Sequence, residues 1–185
     1  MSKRVAIKGG AYRGLTFVGK LTNYVCAERV KILSVKDRPI CRRIADIGRL
    51  FGVEPQRHGF QYVGAVRWPK MPRMQIWWPK VAERANDAGW KNELVIDNNE
   101  VIEIKEMNVK NKVKNDETIK KNIKEDMRRV VFANVDGIEC DSGYCYLFIG
   151  VFELDKERTQ REGGCIWTRI ATDVELNPVV QDCDR

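Results

Sequence analysis

The stretch GYCYLFIGVFELD, residues 143–155, is apolar and aromatic over most of its length and lies between a charged run and a polar loop. A segment of this kind is typical of a strand in the centre of a protein core. It also raises the question whether the strand is only core or forms the floor of a binding site. The runs on either side of it indicate the fold class.

Two further strand-like runs flank this stretch. They are RRVVFANVDG (128–137) and CIWTRIATDVEL (165–176), and turn-forming Gly, Asp and Ser residues separate the three runs. Three consecutive strands with short loops predict a meander. Together with strands expected earlier in the chain, the meander predicts an α+β fold, a curved antiparallel sheet or small β-barrel with two or three helices.

The first sixty residues give signals of both kinds. Residues 1–35 show period-two apolar alternation interrupted by glycines, which predicts two or three strands. From Pro39 the apolar residues fall at helical spacing and end at Gly52, which predicts a helix of about three turns. The segment IADIGRLFGVEPQRHGF (44–60) resembles the first half of a helix-turn-helix, but the β-like sequence after it leaves only about one turn for a recognition helix, so the motif is not favoured.

The next segments read mainly as strands. FQYVGAVRW (60–68) and RMQIWW (73–78) are strand-like and are joined by a turn, and a short helix is expected from Pro79 to Gly89. ELVIDNNEVIEIKEM (93–107) predicts a β-hairpin that bends at Asn98-Asn99, because asparagine tolerates positive φ better than most residues.

Residues 107–127 are the most polar part of the chain, with an imperfect helical stripe of apolar residues. They predict either a surface helix, which we favour, or a connector. This segment would divide an N-terminal α+β part (1–106) from a C-terminal β meander (128–185) that completes the barrel, and the two parts could still form one domain.

Composition and charge limit the classes of function. The chain has 185 residues, 43% of them apolar, which is enough for a packed core. Its 33 Lys and Arg against 26 Asp and Glu give a net charge of +7. This excess favours a polyanionic partner, because binding phosphates releases condensed counterions, although a merely solvated positive surface is the alternative.

Localisation and cofactors follow from what the sequence lacks. No apolar run approaches the ~18 residues of a membrane span, and no signal peptide follows the first residues, so a cytoplasmic protein is expected. The six cysteines are expected to be reduced thiols or core residues. The closest pair, Cys140 and Cys145, is spaced too widely for a zinc knuckle, and neither a metal nor a cofactor is expected.

Tryptophans and basic residues occur together around residue 73. Adjacent Trp77 and Trp78 must point to opposite faces if they occupy a strand, so one is expected in the core and the other at a surface or cleft. Cations beside an exposed indole would contact phosphates while the indole stacks on a base, although core packing is the commoner role of tryptophan. The basic residues in question are Arg67, Lys70, Arg73 and Lys80.

A catalytic alternative lies on the predicted hairpin. Glu103-Ile104-Lys105 has the acid-x-Lys spacing of metal-dependent nucleases, and Asp97 lies one strand earlier. Two carboxylates would hold Mg²⁺ and the lysine would stabilise charge at the phosphate. Because Glu-x-Lys is common in a chain that is 32% charged, the solvated face of a hairpin is the preferred interpretation, and whether the protein is an enzyme stays uncertain, leaning to no.

The three C-terminal runs resemble the closing segment of PUA-like and SRA-like β-barrels in prokaryotic restriction and defence proteins. The likeness covers about forty-five residues of the chain and rests on the following side chains: Tyr146, Phe148, Gly150, Val151, Phe152, Leu154, Trp167, Arg169 and Ile170. It implies a pseudo-barrel that binds nucleic acid, in some members by holding an extruded, modified base in an aromatic pocket. In the sequence itself, Gly150 suggests a bend or a close approach, and Arg169 beside Trp167 places a cation on an apolar strand.

The sequence therefore favours a nucleic-acid-binding protein of a bacterial or phage defence or counter-defence system, with DNA as the favoured partner. The predicted contact residues are Arg67, Lys70, Arg73, Trp77, Trp78, Lys80, Trp167 and Arg169. Two alternatives stay open. One is a phage-encoded inhibitor of a host defence nuclease, of anti-CRISPR or anti-restriction type, and the other is the Mg²⁺-dependent nuclease of Asp97, Glu103 and Lys105.

Overall fold

The computed structural model describes residues 21–27, 29–53, 64–136, 138 and 140–176, and the backbone of two short strands nearer the N-terminus. Strands and helices alternate along the chain, and Val35–Asp37 forms a single 3-10 turn. The strands and helices are β1 (Arg4–Ala6), β2 (Thr16–Val18), β3 (Ile32–Ser34), β4 (Ile40–Cys41), α1 (Ile44–Leu50), β5 (Ala65–Arg67), β6 (Met74–Trp77), β7 (Lys80–Val81), β8 (Trp90–Asp97), β9 (Glu100–Asn108), α2 (Lys112–Glu125), β10 (Arg128–Val135), β11 (Tyr146–Leu154), α3 (Lys156–Glu162), β12 (Cys165–Ala171) and β13 (Asp173–Glu175).

One large sheet dominates the described residues, with strand order β5-β6-β10-β11-β12-β9-β8. Neighbouring strands are antiparallel except that β10 lies parallel to β6. The short β4 pairs with the start of β11. The predicted α+β class with a curved sheet, a C-terminal meander and helices is confirmed, and strands from 1–106 and from 128–185 share this sheet.

The sheet curls until its far end returns close to β10. The short β7 pairs in parallel with the end of β10, where Lys80 lies opposite Asn134. On the other side of β7, the side-chain amide of Asn92 in β8 donates to the Lys80 carbonyl at 3.0 Å. A ring of strands β8-β9-β12-β11-β10-β7 therefore closes through a side-chain hydrogen bond and not through a backbone ladder. We call this ring the pseudo-barrel.

Two hydrophobic clusters lie on opposite faces of β11. Leu147, Ile149 and Phe152 belong to the inner cluster, inside the pseudo-barrel, whereas Phe148 and Val151 belong to the outer cluster. Strict alternation would place residues 148 and 151 on different faces. They share a face because the register of β11 shifts against both of its neighbours at this point. Such bulges bend a strand and increase its twist.

Gly150 makes this bend possible. Its φ is +120°, a conformation that L side chains rarely adopt. A Cβ at this position would lie 2.7 Å from the Ala171 carbonyl oxygen and 2.8 Å from Cδ of Arg169. The predicted bend or close approach at Gly150 is therefore present, and the close neighbours belong to β12 of the same chain.

The helices cover the two ends and the outer face of the sheet. α1 packs Ile47 and Leu50 into the outer cluster, and α2 lays Ile119 and Ile123 against the inner cluster. The N-terminus of α2 is capped by the Asn111 side chain, which accepts a hydrogen bond from a backbone N–H of its first turn. No helix of the described segments is long and apolar enough to cross a lipid bilayer.

Most local predictions are confirmed. The bend of the β8–β9 hairpin has positive φ at Asn98 and Asn99, +48° and +64°. Residues 112–125 form the favoured helix. The helix predicted from Pro39 begins only at residue 44, because Ile40 and Cys41 pair with β11. The second half of the helix-turn-helix comparison, residues 54–60, lies outside the described residues.

Two elements differ from the prediction. The helix expected from Pro79 to Gly89 is wrong, because residues 80–81 pair with β10 and the Pro79 carbonyl accepts the backbone N–H of Asn134 at 2.9 Å. Tertiary pairing thus overrides the local helix signal. The connection between β11 and β12, expected as a loop, contains α3, whose Thr159 hydroxyl accepts the backbone N–H of Ile166 at 2.9 Å.

Replacing Gly150 with alanine tests whether the bend depends on this residue. We expect Gly150→Ala to lower the free energy of unfolding by about 3 kcal/mol or more, because backbone strain and a steric clash add together. Gly163→Ala is the matched control. That residue also has positive φ, +69°, but nothing lies within 4 Å of its added Cβ, so a loss of about 1 kcal/mol is expected. Equal losses in urea denaturation would contradict this account.

Candidate nucleic-acid interface

One described segment carries a clear local excess of positive charge. Residues 29–49 contain seven Lys and Arg but only two acidic residues, Asp37 and Asp46. The Asp46 carboxylate forms salt bridges with both Arg43 and Arg49, with N–O distances of 3.2 Å. These pairs are exposed and contribute little stability, so the cations stay available to an anionic ligand.

A pocket of about 260 Å³ opens beside this segment. One side is the 35–38 turn, the opposite side is the bend of the β8–β9 hairpin with residues 98–101, and residues 147–149 of β11 form the floor. The apolar stretch 143–155 therefore contributes both to the core and to the pocket floor. Ligand pockets are typically apolar with a few polar groups at the walls, from about 300 Å³ upward.

Glu100 supplies a carboxylate at the pocket wall, and Arg169 orients it. The two side chains form an ion pair across β9 and β12. Arg169 is only 11% exposed at its side chain, and its Nη1 has no hydrogen-bond partner within the described structure. Its aliphatic stem lies against Gly150. The bend in β11 thus fixes the arginine that holds the pocket carboxylate.

Lys36 and Arg38 supply cations at the opposite wall. Lys36 is exposed, and Arg38 is half-buried with positive φ at the end of the 3-10 turn, where its N–H donates to the Val35 carbonyl at 3.1 Å. A mainly apolar lining, a carboxylate acceptor and two cations suit a ligand that combines an aromatic ring, an amino group and phosphate.

The basic residues predicted from sequence lie elsewhere. Arg67, Lys70, Arg73 and Lys80 are exposed, as expected, but do not line this pocket. Arg73 lines a separate groove of about 350 Å³ and pairs with Asp126 at 2.6 Å. A hydrogen bond from Lys156, together with the charges of Lys156 and Arg73, holds the pKa of Asp126 below its ordinary value. Of the eight predicted residues, the structure brings only Arg169 next to the pocket carboxylate.

The expectation of an exposed tryptophan in the pair 77–78 is wrong. Trp77 is 4% and Trp78 is 7% exposed, because the sheet has a hydrophobic cluster on each face and the two indoles enter opposite clusters. Trp167 is buried as well, at 1%. The nucleic-acid roles of these tryptophans stay predictions. Because all three are buried, such a role would be indirect, by supporting the residues that contact the nucleic acid.

Trp77 and Trp167 enclose a buried cation. The Arg129 guanidinium carbon lies 4.5 Å from the ring centroid of Trp77 and 3.8 Å from that of Trp167. Glu106 accepts hydrogen bonds from Arg129 and from the Trp167 indole N–H, each at 3.0 Å. The Asn122 carbonyl oxygen of α2 accepts from Nη2 at 3.2 Å. The sequence signal for this cluster, which the sequence analysis missed, is a charged residue at the start of an apolar strand.

The structure does not assemble the nuclease alternative. Glu103 and Lys105 share a face of β9, but Glu103 pairs with Arg158 and Lys105 pairs with Glu162 at 3.1 Å. The hydrogen bonds that Arg158 donates to Glu103 and Glu162 raise the pKa of its guanidinium. Asp97 lies at the hairpin bend. In the part of the chain that the structure describes, no three His, Cys, Asp or Glu side chains form a possible metal site.

Comparison with known proteins gives a family match and matches among solved structures. The family model of the SET and RING associated domain matches residues 27–176. The solved structure named "The 5-Hydroxymethylcytosine-Specific Restriction Enzyme AbaSI" is similar with a TM-score of 0.61 and 22% sequence identity, covering 78% of this chain and 42% of that chain. At this identity the likeness is one of fold, and the match spans less than half of that protein. The search of curated proteins gave no match.

These matches confirm the resemblance seen in the C-terminal runs. The family match begins at residue 27 and continues to residue 176, so it extends the likeness well beyond the three C-terminal strands. The PUA- and SRA-like barrel expected from Tyr146 to Ile170 is therefore the fold of most of the described chain.

Removing the buried carboxylate tests the role of the Arg129 cluster. We expect Glu106→Ala to lower the free energy of unfolding by about 3–5 kcal/mol, because a buried cation and an indole N–H lose their acceptor. The matched control is Glu93→Ala on the neighbouring strand, whose partner Lys91 is at the surface, with an expected loss of about 1 kcal/mol or less. Comparable losses for the two variants in urea denaturation would show that the cluster is dispensable.

Proposed function

This chain belongs to the SET and RING associated (SRA) domain family, and from that premise we propose that it binds DNA and holds one extruded base in the pocket between the 35–38 turn and the β8–β9 bend. Membership of the family supports the nucleic-acid partner expected from the charge of the chain. The observation that carries the proposal is the convergence of an apolar floor, an oriented carboxylate and cations at one opening of the pseudo-barrel.

An extruded base suits the shape of this pocket. A protein cannot reach all edges of a base inside a duplex, so base-reading proteins unstack the nucleotide at a cost of a few kcal/mol, about as much as a good pocket returns. The lining of the pocket is more apolar than polar, which suits the face of the ring. Polar groups at the walls then reach the edge of the base.

Glu100 is the proposed reader of that edge. An ionised carboxylate accepts hydrogen bonds only, so it pairs with the exocyclic amine of cytosine and rejects the carbonyl that thymine carries at the same position. The ion pair with Arg169 orients the Glu100 carboxylate. Cytosine is therefore the proposed base, with a 5-substituted form such as the 5-hydroxymethylcytosine named for the structural relative as a candidate modification.

The phosphates flanking the extruded nucleotide are assigned to Lys36 and Arg38, with the other cations of residues 29–49 extending the surface. Arg67, Lys70, Arg73 and Lys80 stay proposed as a second phosphate contact.

We place this activity in bacterial or phage genome defence within the cytoplasm, and we assign to the chain recognition without catalysis. The similarity of its fold to a restriction enzyme supports this setting.

The two cationic surfaces can be separated by mutation. We expect the double variant Lys36→Ala, Arg38→Gln to weaken duplex binding in 50 mM salt by about tenfold or more and to reduce the slope of log K against log salt by about two, because two phosphate contacts are lost. Lys70→Ala, Arg73→Ala is the matched control with the same charge change. If only the control pair weakens binding, as fluorescence anisotropy would show, the pocket is not the main contact.

Base reading is tested at Glu100. For wild type we expect tighter binding to a duplex with one cytosine or 5-substituted cytosine at the mismatched, easily extruded position than to thymine there. Glu100→Gln should remove about 1–3 kcal/mol of this discrimination, because the amide can present a donor to thymine. Asp97→Asn, at the same hairpin but outside the pocket lining, should leave it unchanged. Unaltered discrimination in the Glu100 variant would refute its assigned role.

A further inference from the structure

The β10–β11 connection holds two thiols close together in one cluster. Gly143, with φ of +71°, donates its N–H to the Cys140 carbonyl at 2.9 Å and so turns the chain back on itself. The turn brings Cys145 back beside Cys140, close enough for each thiol to affect the ionisation of the other. Both are free thiols that belong to the inner cluster of the pseudo-barrel.

Polar groups surround the first of these sulfurs. The Ser142 hydroxyl oxygen lies 3.4 Å from Cys140 Sγ, and the Tyr24 hydroxyl accepts the Ser142 backbone N–H at 3.2 Å. Burial alone raises the pKa of the Cys140 thiol, but hydrogen bonds from Ser142, Cys145 and Tyr24 outweigh it and lower the pKa below the ordinary value. Burial, with the neighbouring Cys140 sulfur, raises the pKa of Cys145 to about 12.

The pair lies directly beneath the surface. Residues 141–144 are all exposed, whereas Cys140 and Cys145 are 5% and 4% exposed beneath them. A small oxidant therefore has only the turn to pass. A thiol that ionises readily, placed beside a second thiol that stays protonated, is the arrangement found in peroxide-sensing cysteine pairs.

We propose that Cys140 and Cys145 form a reversible disulfide that regulates DNA binding by the same chain. The Cys140 thiolate attacks hydrogen peroxide, which gives a sulfenic acid at Cys140 and releases hydroxide. The Cys145 thiol then attacks the sulfenic sulfur, an S–S bond forms, and water leaves with the proton from Cys145. Overall the two thiols lose two electrons and two protons, and the peroxide is reduced to two waters.

The link to DNA binding runs through Tyr24 and rests on the proposed function. In the reduced protein Tyr24 is held between Ser142 and the guanidinium of Arg42, whose carbon lies 4.5 Å from the ring centroid. Tyr24 also bridges to Ile40, and this strand leads back to the 35–38 wall of the pocket. A disulfide would move the Cys140 sulfur away from Ser142, and the 140–145 turn would shift with it. Tyr24 would then lose its position, and the 35–38 wall that carries Lys36 and Arg38 would no longer be held in place.

The first test reads the disulfide without DNA. Trypsin releases residues 130–156 as one peptide, which contains both cysteines and no other. After the reduced full-length protein is treated with hydrogen peroxide and blocked with iodoacetamide, we expect this peptide to be two hydrogens lighter and unalkylated, and dithiothreitol should restore both thiols. The same experiment on Cys26→Ser, which lacks the exposed thiol, should give the same result.

Single variants separate the two roles. Cys145→Ser should retain a sulfenic acid at Cys140 that dimedone traps, whereas Cys140→Ser should leave Cys145 unreacted. Oxidation of Cys145 in the Cys140→Ser variant at the wild-type rate would overturn the assignment. So would full alkylation of both thiols in peroxide-treated wild type, or oxidation of Cys140 to the sulfinic acid with Cys145 left free.

The second test measures regulation. Oxidised wild type should bind the duplex about tenfold more weakly than the reduced protein, and Cys145→Ser should not change in this way. A disulfide that forms without any change in affinity would refute the regulatory half of the proposal. If the reduced protein binds no DNA at all, the proposed function fails, and the peptide measurement still decides whether the disulfide forms.

Discussion

The structure depends on one strand that is buried on both faces. β11 must supply apolar side chains to an inner and an outer cluster and also bend enough for the sheet to curl into a pseudo-barrel. A regular strand cannot do both, because its alternation is fixed. The bulges around Gly150 shift the phase, so Phe148 and Val151 reach the same cluster although they are three residues apart. The same bend seats Arg169, and through it Glu100 at the pocket wall.

Elements with a strong local signal could be predicted from the sequence. The hairpin at Asn98-Asn99, the helix at 112–125 and the C-terminal meander each carry their own turn residues or periodicity. The failure at Pro79 has a physical cause. Its helix-start signal is real, but two residues of strand pairing with β10 and a hydrogen bond to its carbonyl decide the backbone conformation there. Local patterns contain no information about such distant partners.

The site was predictable only in part for a related reason. The pocket combines the 35–38 turn, the hairpin bend and the middle of the apolar stretch, which are far apart in sequence. Arg169 was found because a cation on an apolar strand is unusual, whereas Glu100 looks like any charged residue of a hairpin. The expectation of an exposed tryptophan was wrong for a different reason. Many tryptophans near basic residues can mean a surface on which bases stack, but they can also mean a buried cation enclosed by indoles, as at Arg129.

The seam at Asn92 gives the pseudo-barrel a mechanical property of its own. All other joints of the ring are backbone ladders, but the hydrogen bond between β8 and β7 comes from the side-chain amide of Asn92, and the Oδ1 atom of that amide has no hydrogen-bond partner in the described structure. A single such bond contributes about 1 kcal/mol net, far less than global unfolding costs. We therefore expect the ring to open locally between β7 and β8 while its other strand pairs stay hydrogen-bonded. The pseudo-barrel would then be easier to deform at this joint than anywhere else around the ring.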